Sequence, residues 1–222
     1  MTGLLRTRIK ACCIASITEA RIAIQAGASA IGLMPRMPDG PGVLSEAEVR
    51  EIAEATPPGV TSVLLTTQLD VDQIVTQQRG SMTHTLQLCA PLTPDARLRL
   101  RRELPGVRLL QVVHIEGEES VAQALDVQRT ADALLLDTQI KRDRFVQLGG
   151  TGLTHDWAIS ERIVKQANIP VFLAGGLRAT NVAEAIRRVR PFGVDVCTGI
   201  RAPHGLDPEK LEAFVTAVAE AS

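Results

Sequence analysis

An aspartate that directly follows the apolar run Ala133-Leu134-Leu135-Leu136 has to leave the core and point towards an open end. Partial burial there raises a carboxyl pKa, so Asp137 becomes a group able to give up a proton near neutral pH. It reads equally well as an Asp that caps its own loop. Near the start of the chain, Lys10-Ala11-Cys12-Cys13-Ile14 sets a lysine two residues before a cysteine, on one face of a strand. An ammonium so placed can hold a thiolate, the form of cysteine that accepts a proton. The plainer readings are a buried cysteine that serves as a small hydrophobe and a solvated strand-end lysine. A third chemistry is written in Leu173-Ala174-Gly175-Gly176-Leu177 and in Asp195-Val196-Cys197-Thr198-Gly199-Ile200. Each is an apolar run that ends in glycine and opens towards a helical pattern. Unpaired N–H groups at a helix start, with glycines that admit close approach, suit a phosphate.

Groups so far apart in sequence need a repeating frame to bring them together. Apolar runs at residues 9–14, 28–34, 60–65, 85–88, 107–113, 133–136 and 171–174, and the run ending near residue 196, predict strands. Between them lie helical patterns with start signals: Ser16 with Glu19 before residues 18–25, Ser45 with Glu48, and Thr93-Pro94. Residues 71–78, 120–127 and 179–189 are further helices, Asp156 caps residues 157–166, and Asp207-Pro208 opens the last helix. Strand and helix alternate eight times, at about 25–30 residues per unit. The fold class predicted is α/β, a (β/α)8 TIM barrel with a parallel eight-stranded barrel, in one domain over residues 1–222. In that frame, chemistry belongs to the C-terminal ends of the strands.

Composition agrees with such a frame. The 222 residues are 45% hydrophobic, but only 2% are aromatic and none is Tyr, so Leu, Ile, Val and Ala must fill the core. That filling suits parallel strands covered on both faces. A net charge of −1 offers no basic field and argues against nucleic acid as a partner. No apolar run reaches membrane-spanning length, and the first ten residues lack the apolar stretch of a signal peptide. Cys12, Cys13, Cys89 and Cys197 show no metal-type spacing; reduced thiols in a cytoplasmic protein without metal or cofactor are expected. Among the other strand-end residues, His114 either faces the mouth or, more simply, caps its strand, Cys89 reads as a small packer, and His84 and His204 as surface residues. Cys12 and Cys13 are expected to face opposite ways.

Taken together these motifs resemble phosphoribosylanthranilate isomerase, a tryptophan-pathway family. Lys10-Ala11-Cys12-Cys13-Ile14 is similar to its K-[IV]-C-G-[IL] opening and Gln87-Leu88 to its Q-L-H-G strand. Leu135-Leu136-Asp137-Thr138, Gly149-Gly150-Thr151-Gly152 and Asp156-Trp157 resemble its central motifs, and the runs around Gly175-Gly176 and Thr198-Gly199 its paired phosphate loops. The resemblance implies an Amadori rearrangement of a ribosylamine phosphate, without metal or cofactor, in a monomer or homodimer. Asp137 would be the acid and Cys12 the base. Lys10, Arg36, Gln87, Gly150, Gly175, Gly176, Asp195, Thr198 and Gly199 would bind substrate or its phosphate, with Asp195 orienting the substrate.

The chain departs from that pattern at Cys13 (family glycine), at Cys89 (family histidine) and at Arg201 (family acidic residue). No arginine aligns with the family's carboxylate-binding one, and Arg36 is the candidate to replace it. These changes leave two other readings: an isomerase for a ribosyl phosphate with a different aglycone, and a phosphosugar-binding protein without turnover.

Overall fold

The computed structural model describes residues 6–35, 43–142, 145–148 and 156–221. Eight parallel strands close into a barrel: β1 (Arg8–Ala11), β2 (Ala30–Pro35), β3 (Thr61–Thr66), β4 (Thr85–Leu88), β5 (Arg108–Ile115), β6 (Ala133–Arg142), β7 (Val171–Leu173) and β8 (Gly193–Val196). Closure is made by β1, which pairs with β2 through Lys10 and Ala30 and with β8 through Lys10 and Asp195. Around the ring run α1 (Ile17–Gln25), α2 (Glu46–Ala55), α3 (Val71–Ser81), α4 (Pro94–Glu103), α5 (Glu119–Val127), α6 (Trp157–Gln166), α7 (Val182–Val189) and α8 (Pro208–Ala221). Among the described residues no helix is long and apolar enough to cross a membrane.

The start signals act as their chemistry requires. Ser16 accepts a hydrogen bond from the Glu19 N–H, and Ser45 and Glu48 exchange bonds in a full capping box. Thr93 caps α4 with Pro94 in its first turn, and Asp156 caps α6.

Strand alternation separates two cores. Ile9, Ala11, Leu86, Leu88, Leu134, Leu136, Val194 and Val196 face outwards into the layer beneath the helices. Cys12, Val63, Leu65, Cys89, Leu110, Val112 and Leu135 face the barrel interior. Every residue in between on a strand therefore belongs to one layer or the other, and the inner set decides what can reach the mouth.

Two elements differ from the sequence reading. The sixth strand does not stop at Leu136. It continues to Arg142 and pairs with Phe145–Leu148 as an antiparallel hairpin, because β5 runs on to Ile115 and keeps pairing with it through His114–Asp137 and Ile115–Thr138. The helix expected from residue 179 begins at Val182: the Asn181 side chain accepts from the Arg178 N–H and donates to the Gly176 carbonyl, which holds a turn in place of a first helical turn. The glycines of the two turns also fit the protein's own neighbouring atoms. A Cβ on Gly175, whose φ is +83°, would lie 2.2 Å from Thr138 Oγ1, and one on Gly199 would lie 2.1 Å from the Leu177 carbonyl oxygen. The two glycine turns thus pack against β6 and against each other. Gly199→Ala must move main chain to fit, and is expected to cost about 1–3 kcal/mol in urea-denaturation stability.

Candidate active site

The interior below the mouth is organised by a lysine that has left water entirely. Lys10 points inwards from β1 and is 0% exposed; its Nζ lies 2.7 Å from Asp195 Oδ1 on β8 and 3.4 Å from Cys12 Sγ. Burial would strip its proton, but the Asp195 carboxylate and then Cys12 more than offset this and hold its pKa above the ordinary lysine range. Lys10 is therefore a fixed cation, and the solvated reading is excluded. Asp195, expected to orient substrate, is engaged by Lys10 and buried.

Cys12 and Cys13 do not face opposite ways. β1 ends at Ala11, and Cys13 takes the left-handed conformation with φ +60°, so both sulfurs join the inner cluster. This is a conformation that glycine adopts without cost. Cys13 Sγ is 2.7 Å from Cys197 Sγ. Its carbonyl accepts from Arg201 at 2.6 Å, and Arg201 also pairs with Glu19 at 3.1 Å. Glu19 in turn accepts from the Ala15 and Leu206 N–H groups. Arg201 is thus a clamp on the backbone beside Cys12. The Cys13 contact, then burial, push the Cys12 thiol well above the usual cysteine range, while Lys10 draws it down.

Across the barrel, alternation from Leu110 and Val112 turns His114 inwards, and from Leu135 it turns Asp137 inwards, in register beside it. Burial raises the Asp137 carboxyl to about 7, against the bond it accepts from the Thr138 N–H at 2.8 Å. His114 is held below its ordinary range by burial, so its ring is neutral; Nε2 lies 3.3 Å from the Cys89 carbonyl. Its Nδ1 is buried with no partner among the described residues. Of the two sequence readings of His114, facing the mouth or capping its strand, the parity of Leu110 and Val112 selects the mouth. Gln87 is buried one layer down, its Nε2 3.6 Å from Cys89 Sγ, and burial pushes that thiol up to about 12. Thr198 is exposed, and Gly175, Gly176 and Gly199 are half-buried at the ends of β7 and β8. Arg36 and Gly150 lie outside the described residues. A separate cavity of about 540 Å³ opens at the other end of the barrel among Arg8, Thr61, Thr85, Arg108, Phe172 and Phe192. Of the residues predicted to do chemistry, only Lys10 touches it, so it is not this site.

A fixed cation, a thiol and a raised carboxyl stand at the C-terminal end of a barrel, and the chain around them matches a known family over almost its whole length. The model of the family "N-(5'phosphoribosyl)anthranilate (PRA) isomerase" matches residues 9–217. The chain belongs to the PRA isomerase family. The N-(5'-phosphoribosyl)anthranilate isomerase of Methanocella arvoryzae is 35% identical over 196 residues, covering 88% of this chain and 90% of that protein. The protein of that name from Pseudomonas savastanoi pv. phaseolicola is 36% identical over 212 residues, 95% and 97% of the two chains. The crystal structure of phosphoribosyl anthranilate isomerase from Thermotoga maritima superposes with a TM-score of 0.82 at 26% identity, over 96% of this chain and 98% of that one.

Within the PRA isomerase frame, two departures now have a physical account. Cys13 carries a side chain in a glycine conformation, and Arg201 turns away from the mouth to hold that strained turn. The Lys10–Asp195 pair supplies a direct test. Lys10→Met leaves a buried carboxylate without its partner and is expected to cost about 3–5 kcal/mol. Lys10→Met with Asp195→Leu should recover most of that stability in guanidinium melts, but not turnover, because the cation beside Cys12 stays absent.

Proposed function

We infer that this protein isomerises N-(5'-phosphoribosyl)anthranilate by general acid–base catalysis, an Amadori rearrangement serving tryptophan biosynthesis. The family match from residue 9 to residue 217 carries the reading. In it, Asp137 gives its proton to the ribose ring oxygen, and the ring opens to a Schiff base. Cys12 then takes the proton from C2′, and the electron pair of that C–H bond gives the enolamine, which ketonises to the product. One group must deliver a proton and another remove one at different ribose atoms, and inward-facing groups on β1 and β6 can serve the two ends. Turns holding Gly175, Gly176, Thr198 and Gly199 grip the phosphate through backbone N–H groups and the exposed Thr198 hydroxyl.

Lys10 contributes without touching the chemistry: its ammonium 3.4 Å from Cys12 Sγ stabilises the thiolate that the base must become. A different aglycone loses its main support, because Arg201 is committed to Glu19 and the Cys13 carbonyl rather than to a rebuilt mouth.

The ionisations set the pH dependence. Reaction needs Asp137 protonated and Cys12 deprotonated, the reverse of the order that their environments favour. Above about pH 7, the value to which burial raises Asp137, the pair holds one proton, and a constant minor fraction has it on the carboxyl. Below that value a second proton binds and silences the base. With freshly generated phosphoribosylanthranilate, followed by loss of its fluorescence, kcat/KM is expected to be level above about pH 7 and to fall below it. Asp137→Asn should lower kcat by about 10²–10⁴-fold. The same variant should be more stable than the parent at pH 8, because a carboxyl whose folded pKa is raised loses stability as pH rises from its unfolded value through about 7. A well-folded protein without turnover of this substrate would overturn the assignment.

A further inference from the structure

All four cysteines gather at the mouth, but only one pair is placed to bond. Cys13 and Cys197 sit 184 residues apart in sequence with their sulfurs 2.7 Å from each other. Their backbones are held together independently: the Cys12 N–H donates to the Val196 carbonyl at 2.8 Å, and Arg201 fixes the Cys13 carbonyl. Cys13 is buried, whereas Cys197 is half-buried and reaches solvent. Both thiols are free. We propose that Cys13 and Cys197 form a modification site for low-molecular-weight disulfides, closing to an internal bond across the seam where β8 meets β1 and leaving Cys12 a thiol.

The exchange balances in two steps. The Cys197 thiolate attacks one sulfur of the small disulfide, forming a mixed disulfide and releasing one small thiolate. The Cys13 thiolate then attacks the Cys197 sulfur and expels the second. Two protein thiols lose two electrons and two protons, and the small disulfide is reduced to two thiols. A disulfide is about 2.0 Å long, so the sulfurs have less than about 1 Å to travel. Contact between the two sulfurs makes the second step intramolecular, which offsets the burial of Cys13.

The other pairings fit less well. Cys12 and Cys13 are chain neighbours, with Cα atoms about 3.8 Å apart, shorter than disulfides span. Cys89 is engaged with Gln87 on β4. The bond would also staple the closing seam of the barrel, joining first strand to last. A crosslink over so long a stretch removes much of the freedom of the unfolded chain.

The test treats reduced protein with hydroxyethyl disulfide and reads intact mass, peptide map and thermal melt. The expected result is loss of two hydrogens, one linked peptide pair containing Cys13 and Cys197, and a Tm raised by at least about 5 °C that dithiothreitol reverses. Cys13→Gly suits the left-handed backbone and should fold; it should keep a mixed disulfide at Cys197 and show no rise. Cys197→Ser should form no internal bond. A persistent adduct on the parent protein, no reaction, a bond containing Cys12 or Cys89, or a crosslink without a rise in Tm would each overturn the proposal.

Discussion

The structure depends on one buried ion pair. Lys10 and Asp195 stand on the first and last strands of the barrel, in register, so the bond between them lies across the line where the sheet closes on itself. A buried ammonium is tolerable only with a carboxylate against it, and a buried carboxylate only with a cation, so each forces the other's placement. The same ammonium lies 3.4 Å from Cys12 Sγ. Closure of the fold and the electrostatics of the thiol are therefore one constraint, met by one side chain.

Around that pair, the site is a balance of opposed pulls. Lys10 favours the Cys12 thiolate, while the Cys13 contact and burial favour the thiol. Burial keeps a proton on Asp137 that an exposed carboxyl would have lost. His114, neutral and inward-facing, stands beside that carboxyl without adding charge to it. In the proposed reaction Asp137 is an acid whose pKa burial lifts to about 7, and Cys12 a base whose thiolate the fixed cation favours against its burial.

Much of this was legible in the sequence, for reasons that separate cleanly. The eight strand–helix units could be read because capping at Ser16, Ser45, Thr93 and Asp156 is local chemistry, and because outward-facing apolar residues alternate with the inner set. Asp137 could be picked out because an acid after three leucines has nowhere else to go. What could not be read was set by tertiary contact. The continuation of β6 past Asp137 depends on β5 pairing alongside it. The partner that makes Lys10 buried is 185 residues away. Arg201 stood out only as a departure from the family's acidic residue; that Glu19 and the Cys13 carbonyl occupy it is a tertiary contact. The direction of the Cys13 side chain required a positive φ, which a pattern of facing residues does not encode. Even so, the family's glycine at that position was the signal that a left-handed backbone was needed.

In the proposed reaction Cys12, held beside Lys10, removes the C2′ proton. The most direct measurement compares Cys12→Ala with the parent protein for kcat on phosphoribosylanthranilate and for Kd of a non-reactive reduced product analogue. Loss of kcat by about 10²-fold or more, with Kd within about twofold, is the result this account predicts. Turnover that survives in the well-folded variant, or binding lost together with turnover, would contradict it and return Cys12 to the role of a buried packing residue.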